Sequence, residues 1–104
     1  MGRWFTRAEI EEQYQRGQAG ARKDIATIFE RTGISAAQYA RGVLDFYKQN
    51  ALYMTINAYY AGSHSALRET LGERERHCHC CDVLIEGNTP ENEVLCWECG
   101  RTAQ

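Results

Sequence analysis

Cys78-His79-Cys80-Cys81 and Cys96-Trp97-Glu98-Cys99-Gly100 are the two stretches that decide how the later part of this 104-residue sequence folds. Together they contain the pattern C-x2-C-x14-C-x2-C. This spacing predicts a tetrahedral Zn²⁺ site, because structural zinc binds four deprotonated ligands in a closed shell. A two-residue spacer lets a tight turn carry both sulfurs of a pair to one ion, with backbone N–H groups pointing at the thiolates. We therefore expect Zn²⁺ to be bound by Cys78, Cys81, Cys96 and Cys99.

Other side chains near the first cysteine pair could alter this ligand set. Cys80, His77 or His79 could replace one cysteine, although only the two-residue spacing satisfies the geometry simply. Cys80 is otherwise a spare thiol or a redox-sensing thiol. His64 has no cysteine or second histidine one turn away, so we expect a surface or core imidazole. Glu11 is expected to face solvent.

Four thiolates leave no open position at the metal for water or substrate. Hydrolytic zinc keeps such a position and usually has histidine or carboxylate ligands. We therefore expect a structural metal in a protein that is not an enzyme. Trp97 lies between two predicted ligands, where it either covers the folded cysteine segment or the adjacent helix, or anchors a binding partner.

The charge of the chain is unevenly divided. Residues 1–72 carry nine Lys and Arg against seven Asp and Glu, whereas residues 73–104 carry three against seven. The acidic second part weighs against phosphate binding there. Five cysteines without a recognisable signal peptide predict a reducing, cytoplasmic environment. The most apolar window, residues 51–61, is too short to cross a bilayer, so no membrane association is expected.

Helical periodicity begins near the N-terminus. Thr6 and Glu9 form a capping-box pattern, and apolar residues recur at helical spacing from Ile10 onward. Gly17 and Gly20 each cost about 1 kcal/mol relative to alanine inside a helix. The region is therefore predicted to be one weakened helix or two shorter ones.

A second helix is predicted over residues 36–61, with a further helical segment over residues 65–71 after a break at Gly62-Ser63. The helix over residues 36–61 is apolar around so much of its circumference that more than one side must be covered. The first helix can hardly do this alone in so short a chain. We therefore expect a homo-oligomer or a protein partner on the second helix.

The residues between the cysteine pairs suggest two short strands, 83–85 and 93–95, joined by a turn at residues 87–90. They predict a two-stranded zinc ribbon that depends on metal for stability. The expected fold is therefore mainly α. It comprises a helical hairpin or small helical bundle over residues 1–72, followed by the zinc ribbon over residues 73–104.

Residues 24–44 have the spacing of two helical segments and a turn that is typical of a helix-turn-helix, with Gly33 at the turn. However, bulky Phe29 stands where close helix packing prefers a small residue. Only Gln38 and Arg41 are placed to read bases. DNA binding through this segment is therefore an alternative to protein binding.

The segment from Cys78 to Gly100 resembles the zinc finger of the DksA/TraR regulators of RNA polymerase. The shared features are the first two-residue spacer, an aliphatic stretch ending at Ile85, and the run Val94-Leu95-Cys96-Trp97-Glu98-Cys99. The resemblance implies a helical hairpin before the finger and a role at RNA polymerase. The loop between the cysteine pairs is shorter than is usual in that family, and the turn at residues 31–36 lacks an acidic tip.

These observations predict a non-enzymatic, zinc-binding regulator or inhibitor that acts through protein–protein interaction as a homo-oligomer. One alternative is a transcription regulator that binds RNA polymerase or DNA. The other is a redox-sensing accessory protein that acts through Cys80.

Overall fold

Four helices account for most of the described chain, which in this computed structural model comprises residues 5–49, 57–85, 87 and 89–103. Helix α1 spans Arg7–Thr32, α2 spans Ala36–Gln49, α3 spans Ala58–Thr70 and α4 spans Trp97–Thr102. A mainly α protein is thus confirmed for these residues. None of these helices has both the length and the apolarity needed to cross a membrane.

Helix α1 is continuous over 26 residues, despite the two glycines in its middle. Its predicted capping box is confirmed: the Glu9 N–H donates to Thr6 Oγ1 at 3.1 Å, and the Thr6 N–H donates to Glu9 Oε1 at 2.9 Å. Gly33 ends the helix in the left-handed conformation with φ of 74°, which glycine adopts without a steric penalty.

The prediction of a single helix over residues 36–61 is wrong. Helix α2 ends at Gln49, residues 50–56 lie outside the described residues, and Asn57 has an extended backbone. Asn57 caps the next helix, because its Oδ1 accepts a hydrogen bond from the Tyr60 N–H at 3.2 Å. Asparagine is a favoured N-cap for this reason. The predicted break at Gly62-Ser63 is also wrong, since both residues lie inside α3.

Helices α1 and α3 pack backbone against backbone, because each places a glycine against the other. A Cβ atom built on Gly17 would lie 1.8 Å from the Tyr59 carbonyl oxygen, and one built on Gly62 would lie 1.8 Å from the Tyr14 carbonyl oxygen. Neither position has room for a side chain. Gly17 has a low helix propensity and weakens α1, but its lack of a side chain allows α3 to approach closely.

Helices α1 and α3 run in the same direction. Near their first turns Ile10 and Ala58 share a hydrophobic cluster, and further along Arg22 Nη2 lies 3.3 Å from Glu69 Oε2. Residue numbers therefore rise together along the two helices.

Helix α2 runs antiparallel to α3. Ala40, early in α2, belongs to a cluster with Leu67, late in α3. Tyr47, late in α2, lies with its ring centroid 5.8 Å from that of Tyr60, early in α3. The three helices thus form a small bundle in which α1 and α3 are parallel. Helix α2, which connects them in sequence, runs in the opposite direction.

The described part of the C-terminal segment, residues 73–85, 87 and 89–103, packs against the N-terminal part of α1 and against α3. Cys78, Ile85 and Leu95 form one hydrophobic cluster with Ile10 of α1 and Ala58 of α3. The cysteine-containing part therefore shares a core with the helices. The division into domains at residues 72 and 73 stays a prediction.

A two-stranded ribbon is not shown among the described residues. Their one β-bridge is isolated and joins His77 to Leu84. The His79 N–H donates to the Val94 carbonyl at 2.8 Å, so the segment around Val94 lies beside the first cysteine pair. Single backbone hydrogen bonds, and no described strand pair, thus join the two segments that carry the cysteine pairs.

Candidate metal centre

Four sulfur atoms meet in the C-terminal segment. The Sγ atoms of Cys78, Cys81, Cys96 and Cys99 all lie within 4.8 Å of one another. Cys81 Sγ and Cys96 Sγ are 3.6 Å apart. With Zn–S distances of about 2.3 Å, the sulfurs of a tetrahedral site lie about 3.8 Å from one another. The number, chemistry and spacing of these donors suit a tetrahedral metal ion such as zinc.

Local backbone structure brings each pair of sulfurs together. In the first pair, the Asp82 N–H donates to the Cys78 carbonyl at 3.0 Å and the Cys80 N–H donates to Cys78 Sγ at 3.4 Å. In the second pair, Cys96 is the N-cap of α4 and its carbonyl accepts from the Gly100 N–H at 2.8 Å. Sequence reasoning did not identify α4, which places Cys99 one turn beyond Cys96.

The pKa values of these thiols depend on burial and on their neighbours. Burial, together with the nearby Cys78, raises the pKa of Cys81 to about 12, and it also raises the pKa of Cys99. Burial alone would raise the pKa of Cys78, but backbone N–H groups of Cys81, Cys96 and Cys80 hold it below its ordinary value. A divalent cation favours all four thiolates, so metal binding must release protons.

The three side chains that offered alternatives lie outside this group of sulfurs. His77 Nδ1 is 2.9 Å from the Asp82 carbonyl oxygen. His79 Nδ1 is 2.8 Å from Glu11 Oε2. Cys80 lines a groove of about 490 Å³ at the first turns of α1 and α3, and burial raises the pKa of its thiol.

The first cysteine pair is docked on α1 through His79. Its imidazole bonds to Glu11 and stacks on the Tyr14 ring, with centroids 3.6 Å apart and an interplanar angle of 9°. The second pair is tied to the same helix by an ion pair of 2.9 Å between Arg7 and Glu93. The expectation that Glu11 only faces solvent is therefore wrong.

Asp82 fastens the first cysteine pair to α3. Its carboxylate accepts hydrogen bonds from His64 Nδ1 at 2.9 Å and from both terminal nitrogens of Arg68, one of them at 3.0 Å. Burial would raise the pKa of Asp82, but the bonds from His64 and Arg68 hold it below its ordinary value. The backbone of Asp82 is left-handed, with φ of 68°. Few residues other than glycine adopt this conformation, and aspartate is one of them.

His64 is a core residue, one of the two outcomes expected for it, with only 4% of its surface exposed. Its ring lies 4.7 Å from that of Tyr47 of α2, measured between centroids. Its Nε2 atom is buried and has no hydrogen-bond partner among the described residues. His64 therefore links α2, α3 and the metal-binding region.

Sequence reasoning missed Asp82, Glu11 and Arg68 as supports of the metal centre. The sequence did contain a signal for Asp82. This residue directly follows Cys81, and a carboxylate buried beside the cysteine pair needs a charged or hydrogen-bonding partner. His64 and Arg68 stand four residues apart, which places them on one face of a helix. For Glu11 the sequence offered no such signal.

Trp97 is exposed over 74% of its surface. It therefore does not cover the metal-binding region. The Arg101 guanidinium lies over its ring, 4.5 Å from the centroid. The indole is thus available for contact from outside.

Helices α1 and α2 meet at Gly33, as the helix-turn-helix alternative requires, and both Gln38 and Arg41 are exposed. This placement leaves DNA binding a prediction.

No protein-family model, curated protein or solved structure matches this chain. The four-cysteine group is consistent with a zinc-ribbon-like site, and the resemblance to the DksA/TraR family stays a prediction.

Proposed function

We propose that the chain is a zinc-binding regulatory or inhibitor protein, without enzymatic activity, that acts by binding other proteins. The observation that carries this proposal is the group of four cysteine sulfurs within 4.8 Å of one another. A full thiolate shell gives zinc a structural role, since no ligand position is left for substrate.

The role of the metal is to hold the C-terminal segment in one shape. Cys78 and Cys81 hold the turn that presents His79 to α1 and Asp82 to α3, while Cys96 and Cys99 hold the first turn of α4. A segment this short has little core of its own, so metal binding supplies much of its folding free energy.

The proposed binding surface combines exposed aromatic residues of the helices and of the C-terminal segment. Phe46 of α2 is exposed over 59% of its surface and Trp97 of α4 over 74%. Large aromatic side chains contribute most to protein–protein contacts when they become buried. We assign homo-oligomerisation to α2 and contact with a different protein to Trp97.

Metal analysis tests the zinc part of the proposal. Protein purified under reducing conditions is expected to contain one zinc per chain, and Cys96→Ser is expected to lose it. Cys80→Ser is the matched control, because Cys80 lies outside the group of four. Equal loss of zinc in both variants would contradict the proposed ligand set.

Light scattering tests the oligomer. The protein is expected to be larger than a monomer at micromolar concentration, and Phe46→Ser is expected to shift it toward the monomer. Gln49→Ser, at another exposed position of α2, serves as the control. A strict monomer in the unaltered protein would remove homo-oligomerisation from the proposal.

A further inference from the structure

His77 and His79 line a single open cavity of about 580 Å³ beside the cysteine group. The cavity lies between the end of α3, the connection that follows it, and the residues around Val94. The backbone N–H of Cys78 donates to the Val83 carbonyl, and that of His79 donates to the Val94 carbonyl. Both imidazoles line this one cavity, while Cys78, which stands between them in the chain, is buried in the core.

Both imidazoles use Nδ1 for a hydrogen bond to an oxygen acceptor. His77 Nδ1 lies 2.9 Å from the Asp82 carbonyl, and His79 Nδ1 lies 2.8 Å and 3.1 Å from the two Glu11 oxygens. A carbonyl or carboxylate has no proton to donate, so Nδ1 carries the hydrogen in both rings. In the neutral imidazole this leaves the Nε2 lone pair as the acceptor.

This pattern is the one found around metal-binding histidines. Such residues donate one ring N–H to a carboxylate or a backbone carbonyl, which fixes the tautomer and orients the other nitrogen toward the metal. Here Glu11 is the carboxylate and Asp82 supplies the carbonyl. The Tyr14 ring stacked on His79 holds that imidazole in a fixed plane.

The charge of the cavity favours a cation. Five glutamates and three arginines line it, which gives these side chains a formal balance of −2. Two of the arginines are already engaged: Arg68 bonds to Asp82, and Arg76 donates to the carbonyls of Pro90 and Thr89 at 2.8 Å and 3.0 Å. Two of the glutamates are paired as well, Glu69 with Arg22 and Glu93 with Arg7. The remaining charged side chains are three glutamates and Arg74, so the cavity stays acidic.

We propose that His77 and His79 form a second metal site, which binds a divalent transition-metal cation through their Nε2 atoms. Imidazole nitrogen suits Zn²⁺, Ni²⁺ and Cu²⁺. The remaining coordination positions face an open cavity and are filled by water. The ion at this site is therefore exchangeable, in contrast to one enclosed by four thiolates.

The test adds Ni²⁺ to the zinc-loaded protein in equilibrium dialysis, with zinc and nickel measured separately in the same sample. One nickel per chain is expected to bind while zinc stays at one per chain. His77→Gln and His79→Gln are each expected to weaken nickel binding at least tenfold. Glu11→Gln keeps both imidazoles but weakens the partner of His79, and is expected to weaken binding about 10- to 100-fold.

Glu12→Gln is the matched control for Glu11→Gln, because Glu12 is the neighbouring exposed glutamate of α1 and does not line the cavity. It is expected to leave nickel binding unchanged. The proposal is overturned if nickel binds only by displacing zinc, or if binding survives in the double variant His77→Gln, His79→Gln. Failure of the four-cysteine site would instead appear as missing zinc before nickel is added, so the two outcomes are distinguishable.

Discussion

Asp82 shows how a single residue couples the cysteine group to the helices. It follows Cys81 directly, so its position is set by the turn that places the first two sulfurs. Its carboxylate is shared between His64 and Arg68 of α3. Any shift of this turn therefore breaks several hydrogen bonds at once.

Asp82→Asn is expected to destabilise the protein by about 2–3 kcal/mol, because Arg68 is left mostly buried without its charged partner. Asparagine still tolerates the left-handed backbone, so the loss reflects the carboxylate. Urea unfolding of the zinc-loaded protein measures the change. Glu98→Gln, an exposed change near the second cysteine pair, should have almost no effect, and an equal effect of both variants would contradict the role given to Asp82.

The ion pair between Arg7 and Glu93 predicts a pH dependence. The hydrogen bond from Arg7, with backbone N–H groups of Leu95 and Val94, holds the pKa of Glu93 below its ordinary value. A carboxylate with a lowered folded-state pKa stabilises the fold above its unfolded pKa, and this contribution is lost as pH falls through the folded value. The small stability difference between the unaltered protein and Arg7→Gln should therefore be present at neutral pH and disappear in acid.

Titration of the Glu93 carboxyl by NMR provides the direct check, since its midpoint should rise in Arg7→Gln. A midpoint that is the same in both proteins would show that Arg7 does not contribute to the shift.

Among the elements, the pairing of α1 with α3 depends most on residue size. Gly17 and Gly62 are in contact with backbone atoms of the facing helix, so no rotamer can relieve an added methyl group. The helices must move apart, and the neighbouring contacts of Ile10 and Ala58 would loosen with them.

Gly62→Ala is expected to lower the free energy of unfolding by about 3 kcal/mol, because overpacking against a backbone cannot relax. Gly42→Ala is the control: this residue is exposed in α2, and an added Cβ meets nothing within 4 Å. There alanine should stabilise the protein by about 0.5–1 kcal/mol through helix propensity. Thermal unfolding of both variants measures the two changes, and a loss of stability in both would contradict the packing argument.

The helices themselves could be predicted to different extents. The capping box at Thr6 and Glu9 could be predicted because it depends on local hydrogen bonds between side chains and backbone. The boundary at Asn57 was missed, since the apolar pattern of residues 36–61 runs through it. The close contact at Gly17 was read only as a cost, because the compensating gain comes from a helix about forty residues away.

At the scale of the whole molecule, the cysteine group completes a core that the helices begin. Cys78, Ile85 and Leu95 pack on Ile10 and Ala58, so the cysteine-containing segment and the bundle stabilise one another. The spacing of the four cysteines was enough to predict their meeting. Their docking on α1 through Glu11 and Tyr14 could not be predicted, since it depends on the relative placement of distant elements.

Removal of zinc by a chelator is expected to release residues 73–103 from the bundle while α1 and α3 stay paired through their glycines. Hydrogen exchange should then show lost protection at the backbone N–H groups of Cys78, His79 and Ile85, with protection kept in the middle of α1. The Cys96→Ser variant should show the same pattern without chelator. Uniform loss of protection in all helices would contradict this order.

The contact between Arg7 and Glu93 joins residues 86 positions apart in the chain. Ribosomes add about 5–20 residues per second, so about 4–17 s separate the synthesis of its two ends. During that interval the surface of α1 that carries Ile10 and Tyr14 waits without its C-terminal partner. Metal capture by four thiolates also has to wait until Cys99 has been added. The apolar face of α1 is therefore exposed for several seconds before Ile85 and Leu95 exist to cover it, and the yield of the protein in the cell should depend on chaperones.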